Sequence, residues 1–239
     1  GQPYVFQYLT DGQVRIADPY TEQTSDPNDQ YISASTYPGL PAYPTGKAEG
    51  VASVLQTGQT PYNWEITSFN PPAKEKLIIY EMLIRDFTAE HTYRSVTEKL
   101  DYLEELGVNV LELMPVNEFE GNLSWGYNPS FYFAPDKYYG PKNELKRLID
   151  EAHKRGMAVV IDMVLNHSYG QSPLVKMYWN STLNRPADNN PWYRSQHNFL
   201  NPSAQWGYDF NHDVPAPRLL VDSVISFWMK EYKVDGFRF

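Results

Sequence analysis

The chain has 239 residues, of which 41% are hydrophobic and 15% aromatic, and it carries a formal net charge of −9 with no cysteine. This composition provides ample material for a packed core, and it excludes disulfides and thiolate metal sites. The acidic balance and the lack of a basic stripe argue against nucleic-acid binding, and no apolar stretch approaches the roughly 20 residues that span a bilayer.

Residues 1–75 predict a small β-rich region. The stretch FQYLTDGQVRI is typical of a hairpin, with two strand-like runs around an Asp-Gly turn. The segments after this hairpin are rich in proline and glycine, as connecting segments are. Because one hairpin cannot bury a core, we expect either the end of a β-domain or a β-lobe that leans on the rest of the chain.

From residue 76 onward the pattern changes to alternating strands and helices. Four apolar runs predict buried parallel strands, at 77–83, 108–116, 157–165 and 233–239. Three amphipathic segments predict helices between them, at 95–106, 143–155 and 217–232. We expect Ser95 and Glu98 to form a capping box, and Pro217 to open the last helix.

The loops of this second region are unequal in length. Helix-to-strand links are very short, whereas long loops follow the second and third strands. Long loops in a compact domain are usually functional, and in a (β/α)8 barrel all of them lie at the carboxyl face of the strands. A doubly wound open sheet is the competing architecture, but no strand is followed by a glycine-rich phosphate turn.

Polar residues follow the third strand in the stretch DMVLNH. Asp162 lies among valine and isoleucine, so its carboxylate must be paired or must face a polar site. Asn166 and His167 begin the longest loop. An aspartate that only holds this loop in place is an equally good interpretation from the spacing alone.

Arg238 lies between Phe237 and Phe239 in the fourth strand. An arginine that faces inward from an apolar strand needs a carboxylate partner, which we expect on this strand or on an adjacent one. The alternative is an arginine whose head group reaches the solvent at the rim of the sheet.

The loop after the second strand is crowded with aromatic residues. Seven of them fall between Trp125 and Tyr139. We expect most to pack beneath the loop, and we single out Trp125 and Tyr127 as candidates for an exposed surface that binds a sugar ring.

The remaining histidines predict no site. His91, His153, His197 and His212 have no partner at metal-ligand spacing, and we assign them no role. The helix pattern places His153 on the polar side of its helix.

Taken together, these residues resemble the α-amylase family of glycoside hydrolases, family 13, over about residues 76–239. DMVLNH resembles the first signature of that family, at the end of the third barrel strand. GFRF resembles the start of its second signature, Gly-Phe-Arg-x-Asp. IYEMLIRDF and WGYNP are similar to the branching, debranching and pullulanase-like members.

The resemblance implies an α/β fold in which residues 76–239 form the first half, four βα units, of a (β/α)8 TIM barrel. A short domain B is implied at about residues 168–216. Residues 1–75 are implied to be the tail of an N-terminal β-sandwich of carbohydrate-binding type, together with a linker. The chain is thereby expected to be an N-terminal fragment.

The resemblance also implies roles for individual residues. Tyr127 corresponds to a platform under the sugar ring, and Trp125 is a further substrate-binding candidate. Asp162 is implied to order this subsite, and His167 is implied to hydrogen-bond a sugar hydroxyl.

In the family mechanism, one carboxylate attacks the anomeric carbon and a second protonates the leaving oxygen. Arg238 is implied to orient the nucleophile, which would follow Phe239. The resemblance places the acid Glu and a third catalytic Asp on later strands, so all three acidic catalytic residues are expected outside this chain. Asp162 and Asp235 are not expected to replace them, since Asp162 belongs to the signature of the third strand and Asp235 opens the fourth strand, away from the site end. No cofactor is required, and Asn166 corresponds to a calcium ligand of many members.

The implied activity of the parent protein is retaining hydrolysis of an α-glucan such as starch, glycogen or pullulan. Alternatives are a branching transferase and a catalytically inactive relative that serves as a binding or accessory protein. A third option is an unrelated metal-dependent lyase barrel, in which DMVLNH would hold the metal. We expect an extracellular or cell-surface location rather than a cytoplasmic one. The chain alone is expected to be a poor, aggregation-prone enzyme.

Overall fold

The structure, a computed structural model, describes all residues 1–239. Its strands are β1 Tyr4–Phe6, β2 Tyr8–Thr10, β3 Val14–Ile16, β4 Thr24–Ser25, β5 Ala52–Leu55, β6 Ile79–Met82, β7 Val110–Leu113, β8 Asn117–Phe119, β9 Pro129–Pro135, β10 Ala158–Asp162, β11 His167–Ser168, β12 Trp179–Asn180, β13 Arg185–Pro186, β14 Tyr208–Asp209 and β15 Gly236–Arg238. Its α-helices are α1 Ile84–Phe87, α2 Tyr93–Thr97, α3 Leu100–Glu105, α4 Lys142–Lys154, α5 Pro173–Lys176 and α6 Pro215–Glu231. None of these helices combines the length and the apolar character that crossing a lipid bilayer demands.

The four predicted parallel strands form one sheet. Strands β6, β7, β10 and β15 lie side by side in that order, and each neighbouring pair is parallel. The strands are shorter than the apolar runs that predicted them. The expectation of complete burial is wrong for both edge strands, because each has a partner on one side only: Ile79 in β6 is 52% exposed, and no residue of β15 is fully buried.

The two faces of this sheet differ in chemistry. Leu111, Leu113, Val159 and Ile161 point to one face and are fully buried in an apolar cluster shared with the inner sides of α3, α4 and α6. Successive residues of a strand point to opposite faces, so the residues between them face the other way. That second face carries acidic side chains.

Helices α4 and α6 follow the sequence pattern closely. In α4 the four apolar positions that we expected to face inward, Leu145, Leu148, Ile149 and Ala152, are all buried. Helix α6 begins two residues earlier than predicted, at Pro215 rather than Pro217, because proline is well suited to a first helical turn.

The first predicted helix is wrong in two respects. It is divided into α2 and α3, and it begins earlier, with Thr92 as the N-cap. The hydroxyl of Thr92 accepts a hydrogen bond from the backbone N–H of Ser95 at 3.1 Å, so Ser95 is the fourth residue of this capping box and not the first. Leu106 is exposed, while Gly107 ends the segment with a positive φ of 80°.

The N-terminal region is antiparallel. Strands β2 and β3 form the predicted hairpin, with Asp11 and Gly12 in the left-handed region at its turn. Strands β1, β5 and β4 form a separate three-stranded sheet. The division of the chain near residue 75 stays a prediction.

A buried lysine joins this N-terminal region to the loops around the parallel sheet. The ammonium of Lys137 contacts the carboxylate of Glu118, lies 3.3 Å from Oδ1 of Asp29, and donates to the hydroxyl of Thr24 at 2.5 Å. All of these side chains are buried. Burial lowers the pKa of Lys137, but the charges of Glu118 and Asp29 outweigh it and hold the pKa above its usual value. Burial also raises the pKa of Asp29 to about 6.

Replacing this lysine should therefore destabilise the protein severely. In the Lys137→Met variant, Glu118 and Asp29 are left buried without their cation, and we expect a loss of about 3–5 kcal/mol in the free energy of unfolding. Urea denaturation measures the loss.

Lys142→Met is the matched control. Lys142 also pairs with the N-terminal region, through Glu22 at 3.0 Å, but this pair is much more exposed. Its loss should be about 1 kcal/mol or less. Equal losses in the two variants would show that the buried cluster does not hold the two regions together.

Candidate active site at the carboxyl ends of the parallel strands

Asp162 and Arg238 end adjacent strands. They are partners in the register of β10 and β15, and Nη1 of Arg238 lies 2.5 Å from Oδ2 of Asp162. Asp162 is 2% exposed, whereas the side chain of Arg238 is half exposed. The predicted carboxylate partner of Arg238 on an adjacent strand is thus confirmed. The charge of Asp162, together with this hydrogen bond, raises the pKa of Arg238.

Tyr127 completes a three-residue network with this pair. Its hydroxyl donates to Oδ2 of Asp162 at 2.6 Å and lies 3.5 Å from Nη1 of Arg238. Burial, followed by the hydrogen bond to Asp162, raises the pKa of Tyr127 to about 12. Tyr127 therefore keeps its proton at neutral pH and acts as a donor. We call Tyr127, Asp162 and Arg238 the strand-end network.

A glycine places Tyr127 against the sheet. Gly126 has a φ of 91°, and a Cβ atom at this position would lie 2.4 Å from the carbonyl oxygen of Pro115. Only glycine lets the loop approach so closely. The loop is thereby fixed beside the end of β7, with the next side chain directed to Asp162.

His167 extends the site from the long loop after β10. Its Nε2 donates to the carbonyl oxygen of Tyr127 at 2.9 Å, which leaves Nδ1 without a hydrogen-bond partner in the chain. Burial lowers the pKa of His167, so the imidazole is neutral at physiological pH. The hydroxyl of Tyr132 donates to the carbonyl oxygen of His167 at 2.7 Å and holds this residue in place.

Trp125 and Asn166 stand outside the network. Trp125 is 62% exposed, and the side chain of Asn166 is also exposed. The protein contains no group of three or more histidine, aspartate or glutamate side chains arranged to hold a metal ion. The calcium role of Asn166 stays a prediction.

The other aromatic residues between Trp125 and Tyr139 are mostly buried, as expected; the buried ones are Phe131, Tyr132, Phe133 and Tyr139.

Two glutamates of this site were not predicted from the sequence. Glu81 and Glu112 are partners in the register of β6 and β7, and both point to the same face as Asp162. Oε1 of Glu112 lies 4.0 Å from Nε of Arg238. Burial, and then the charge of Glu81, raises the pKa of Glu112. The sequence feature that could have identified them is the one that identified Asp162: an acidic residue within an apolar strand.

The opposite end of the sheet holds a structural cluster. Asp235, just before β15, accepts hydrogen bonds from the backbone N–H of Val159 at 2.7 Å and from Nε2 of His153 at 2.8 Å. The expectation that Asp235 lies away from the site is confirmed. The expectation that His153 lies on a polar surface is wrong, because Phe69 stacks on its ring at 4.2 Å and covers it.

The family of the chain follows from comparison with known proteins. The model of the alpha-amylase catalytic domain matches residues 88–210. The chain belongs to the α-amylase family.

Three relatives illustrate the relationship of this α-amylase family chain to known enzymes. It is 30% identical to a malto-oligosyltrehalose trehalohydrolase of Saccharolobus solfataricus, over 96% of this chain and 37% of the relative. It is 33% identical to isoamylase 1 of Arabidopsis thaliana, over 79% of this chain and 28% of the relative. A pullulanase of Group B Streptococcus, solved in complex with maltotetraose, superposes with a TM-score of 0.70 at 26% identity, over 99% of this chain and 33% of the pullulanase. The chain thus spans about a third of the length of these proteins.

The lowered pKa of His167 predicts a pH dependence of stability. When the pH falls below 6.5, the ordinary pKa of histidine, His167 becomes protonated in the unfolded chain but stays neutral in the folded one. The free energy of unfolding should therefore fall as the pH drops from about 7 to about 5. The His167→Gln variant should lose less stability over this range, as urea unfolding at each pH measures. Parallel profiles for the two proteins, or an NMR titration of His167 at or above 6.5, would contradict this prediction.

Proposed function

We propose that the whole protein hydrolyses an α-linked glucose polymer with retention of anomeric configuration, and that this chain supplies the part of the site that holds the sugar. The observation that carries the proposal is the strand-end network. It places an aromatic ring, a carboxylate and a guanidinium together at the carboxyl ends of β10 and β15. Family membership supports the assignment of this network to a glycosidase.

The architecture that we propose for the whole protein is a (β/α)8 barrel, of which β6, β7, β10 and β15 are the first four strands. Two observations support it. The strands lie in chain order without a reversal, whereas a doubly wound sheet reverses direction at its binding crevice. The apolar face packs on helices, and the acidic face then becomes the barrel interior.

The remaining parts of the chain fit the same proposal. We assign residues 1–75 to the end of a β-sandwich and a linker, which the antiparallel sheet of β1, β5 and β4 supports. We assign about residues 168–216 to a short domain B. The two-stranded ribbons of β11 with β14 and of β12 with β13 support this second assignment.

Each residue of the network has a separate role in this proposal. The ring of Tyr127 supports a sugar ring, since aromatic faces match the apolar faces of sugars. Oδ2 of Asp162 is held by Tyr127 and Arg238, whereas Oδ1 receives no hydrogen bond from the chain. Oδ1 therefore accepts hydrogen bonds from sugar hydroxyls. Nδ1 of His167 accepts from a further hydroxyl.

We place the attacking carboxylate and the proton-donating carboxylic acid outside these 239 residues. Retaining cleavage needs two carboxyl groups about 5 Å apart across the scissile bond. Asp162 is unsuited to attack because both Tyr127 and Arg238 engage one of its oxygens. Glu81 and Glu112 lie deeper, level with Val160 and not with the strand ends. Arg238, a permanent cation, is positioned to hold the attacking carboxylate ionised.

The names of the relatives favour hydrolysis over transfer. They are a trehalohydrolase, an isoamylase and a pullulanase, and the pullulanase was solved with maltotetraose. We therefore propose α-glucan oligosaccharides or polysaccharides as substrates. Export to the cell exterior remains part of the proposal.

The test is hydrolysis of maltotetraose and pullulan by the whole protein, followed by NMR of the newly formed reducing end. We expect the α-anomer to appear first, as retention requires. Initial release of the β-anomer would overturn the mechanism. Binding without any hydrolysis would instead identify a binding or accessory protein.

Substitutions at Tyr127 should separate its ring from its hydroxyl. Tyr127→Ala should lower kcat/KM by about a hundredfold, because both the platform and the donor to Asp162 are lost. Tyr127→Phe keeps the ring and should cost less. Tyr31→Ala removes a tyrosine that is 71% exposed elsewhere and serves as the control. Equal kcat/KM in Tyr127→Ala and the control would contradict the role of Tyr127.

A further inference from the structure

A cleft separate from the strand-end network lies beside the long loop after β10. It has a volume of about 900 Å³ and runs between the β2–β3 hairpin, the turn at Glu49 and Gly50, and the segment from Val175 to Ser181. This volume falls within the range of about 300–1,000 Å³ that is usual for small-molecule sites. We call it the hairpin cleft.

The hairpin cleft and the strand-end network lie on opposite faces of the ribbon of β11 and β14. In the ribbon of β11 and β14, His167 pairs with Asp209, and the next pair is Ser168 with Tyr208. Neighbouring pairs of a ribbon point to opposite faces. His167 therefore serves the network, while Tyr208 lines the cleft on the other face.

Two aromatic rings form a corner in this cleft. Trp179 and Tyr208 are each partly buried and meet edge to face, with their ring centroids 5.4 Å apart. Partly exposed aromatic rings with polar neighbours suit a ligand that has both apolar faces and hydroxyl edges.

Lys176 supplies hydrogen-bond donors beside these rings. Its ammonium lines the cleft and has no hydrogen bond or ion pair in the chain. Burial lowers the pKa of Lys176, so the group has lost part of its hydration without gaining a partner. Gly50, at a φ of 63°, leaves room for it, since a Cβ there would lie 3.1 Å from Nζ.

The charges around the cleft disfavour an anionic ligand. Arg15 and Lys176 line it together with Glu49, and Glu120 and Asp26 act on Lys176 from nearby. The acidic groups balance the two cations. A neutral polyhydroxyl ligand fits this balance better than a phosphate does.

We propose that the hairpin cleft is a second α-glucan-binding site, in which a sugar ring packs on Trp179 and Tyr208 and its hydroxyls accept hydrogen bonds from Lys176. The glucose-polymer class of the ligand rests on the proposed function, whereas the cleft itself does not. A polymer held on both faces of the β11–β14 ribbon would stay attached to the protein after one bond is cut.

Hydrogen–deuterium exchange with and without maltoheptaose locates the binding. In the wild-type protein we expect protection both near Tyr127 and over residues 175–181. In Tyr127→Ala, protection over 175–181 should remain, and Trp179→Ala in that background should remove it. Lys176→Gln tests the same site without removing any hydrogen bond or ion pair within the chain.

Calorimetry in the Tyr127→Ala background measures the affinity of the cleft. Trp179→Ala and Lys176→Gln should each weaken maltoheptaose binding about tenfold, as loss of one anchor of a binding site does. The matched controls are Trp206→Ala and Lys47→Gln, which should not weaken maltoheptaose binding. Trp206 lies outside the cleft and is 62% exposed.

The outcomes separate the two proposals. Protection near Tyr127 alone overturns the hairpin cleft and leaves the proposed function intact. Protection over residues 175–181 alone supports the cleft and counts against the strand-end network as the sugar site. Protection in neither place overturns the cleft.

Discussion

The pairing of Asp162 with Arg238 is the interaction on which the site depends. Both residues end their strands, and only the observed register of β10 against β15 makes them neighbours. A slip by one residue would turn every side chain of β15 to the other face and leave a buried carboxylate without its cation. The apolar face fixes that register, because Phe237 packs beside Ile161 against the apolar cluster, which turns Arg238 and Asp162 to the opposite face.

The protein handles buried charge in two different ways. Around Lys137 the opposite charges are buried together, and the cluster joins the N-terminal region to the loops around the parallel sheet. At the strand ends the cation is half exposed, and one oxygen of Asp162 has no partner in the chain. The first arrangement stabilises the fold, and the second leaves Oδ1 of Asp162 without a partner at the strand ends.

Local patterns in the sequence predicted the four parallel strands and the buried faces of α4 and α6, since alternation and burial are properties of nearby residues. The apolar surroundings of Arg238 also predicted that it needs a carboxylate partner. Local patterns could not place the charges that depend on distant contacts. The helix pattern places His153 on the surface, but in the structure the ring of Phe69 covers it. Glu81 and Glu112 are recognised as part of one acidic face only when β6 and β7 are paired. The capping box was assigned to Ser95 because Thr92 lies outside the apolar pattern.

A crystal structure of the whole protein with maltotetraose tests the central claim most directly, since that claim is that the strand-end network holds a sugar. We predict a glucose ring packed on Tyr127, with one hydroxyl within hydrogen-bond distance of Oδ1 of Asp162 and another near Nδ1 of His167. A sugar bound elsewhere, with Tyr127 and Asp162 free of contact, would contradict it.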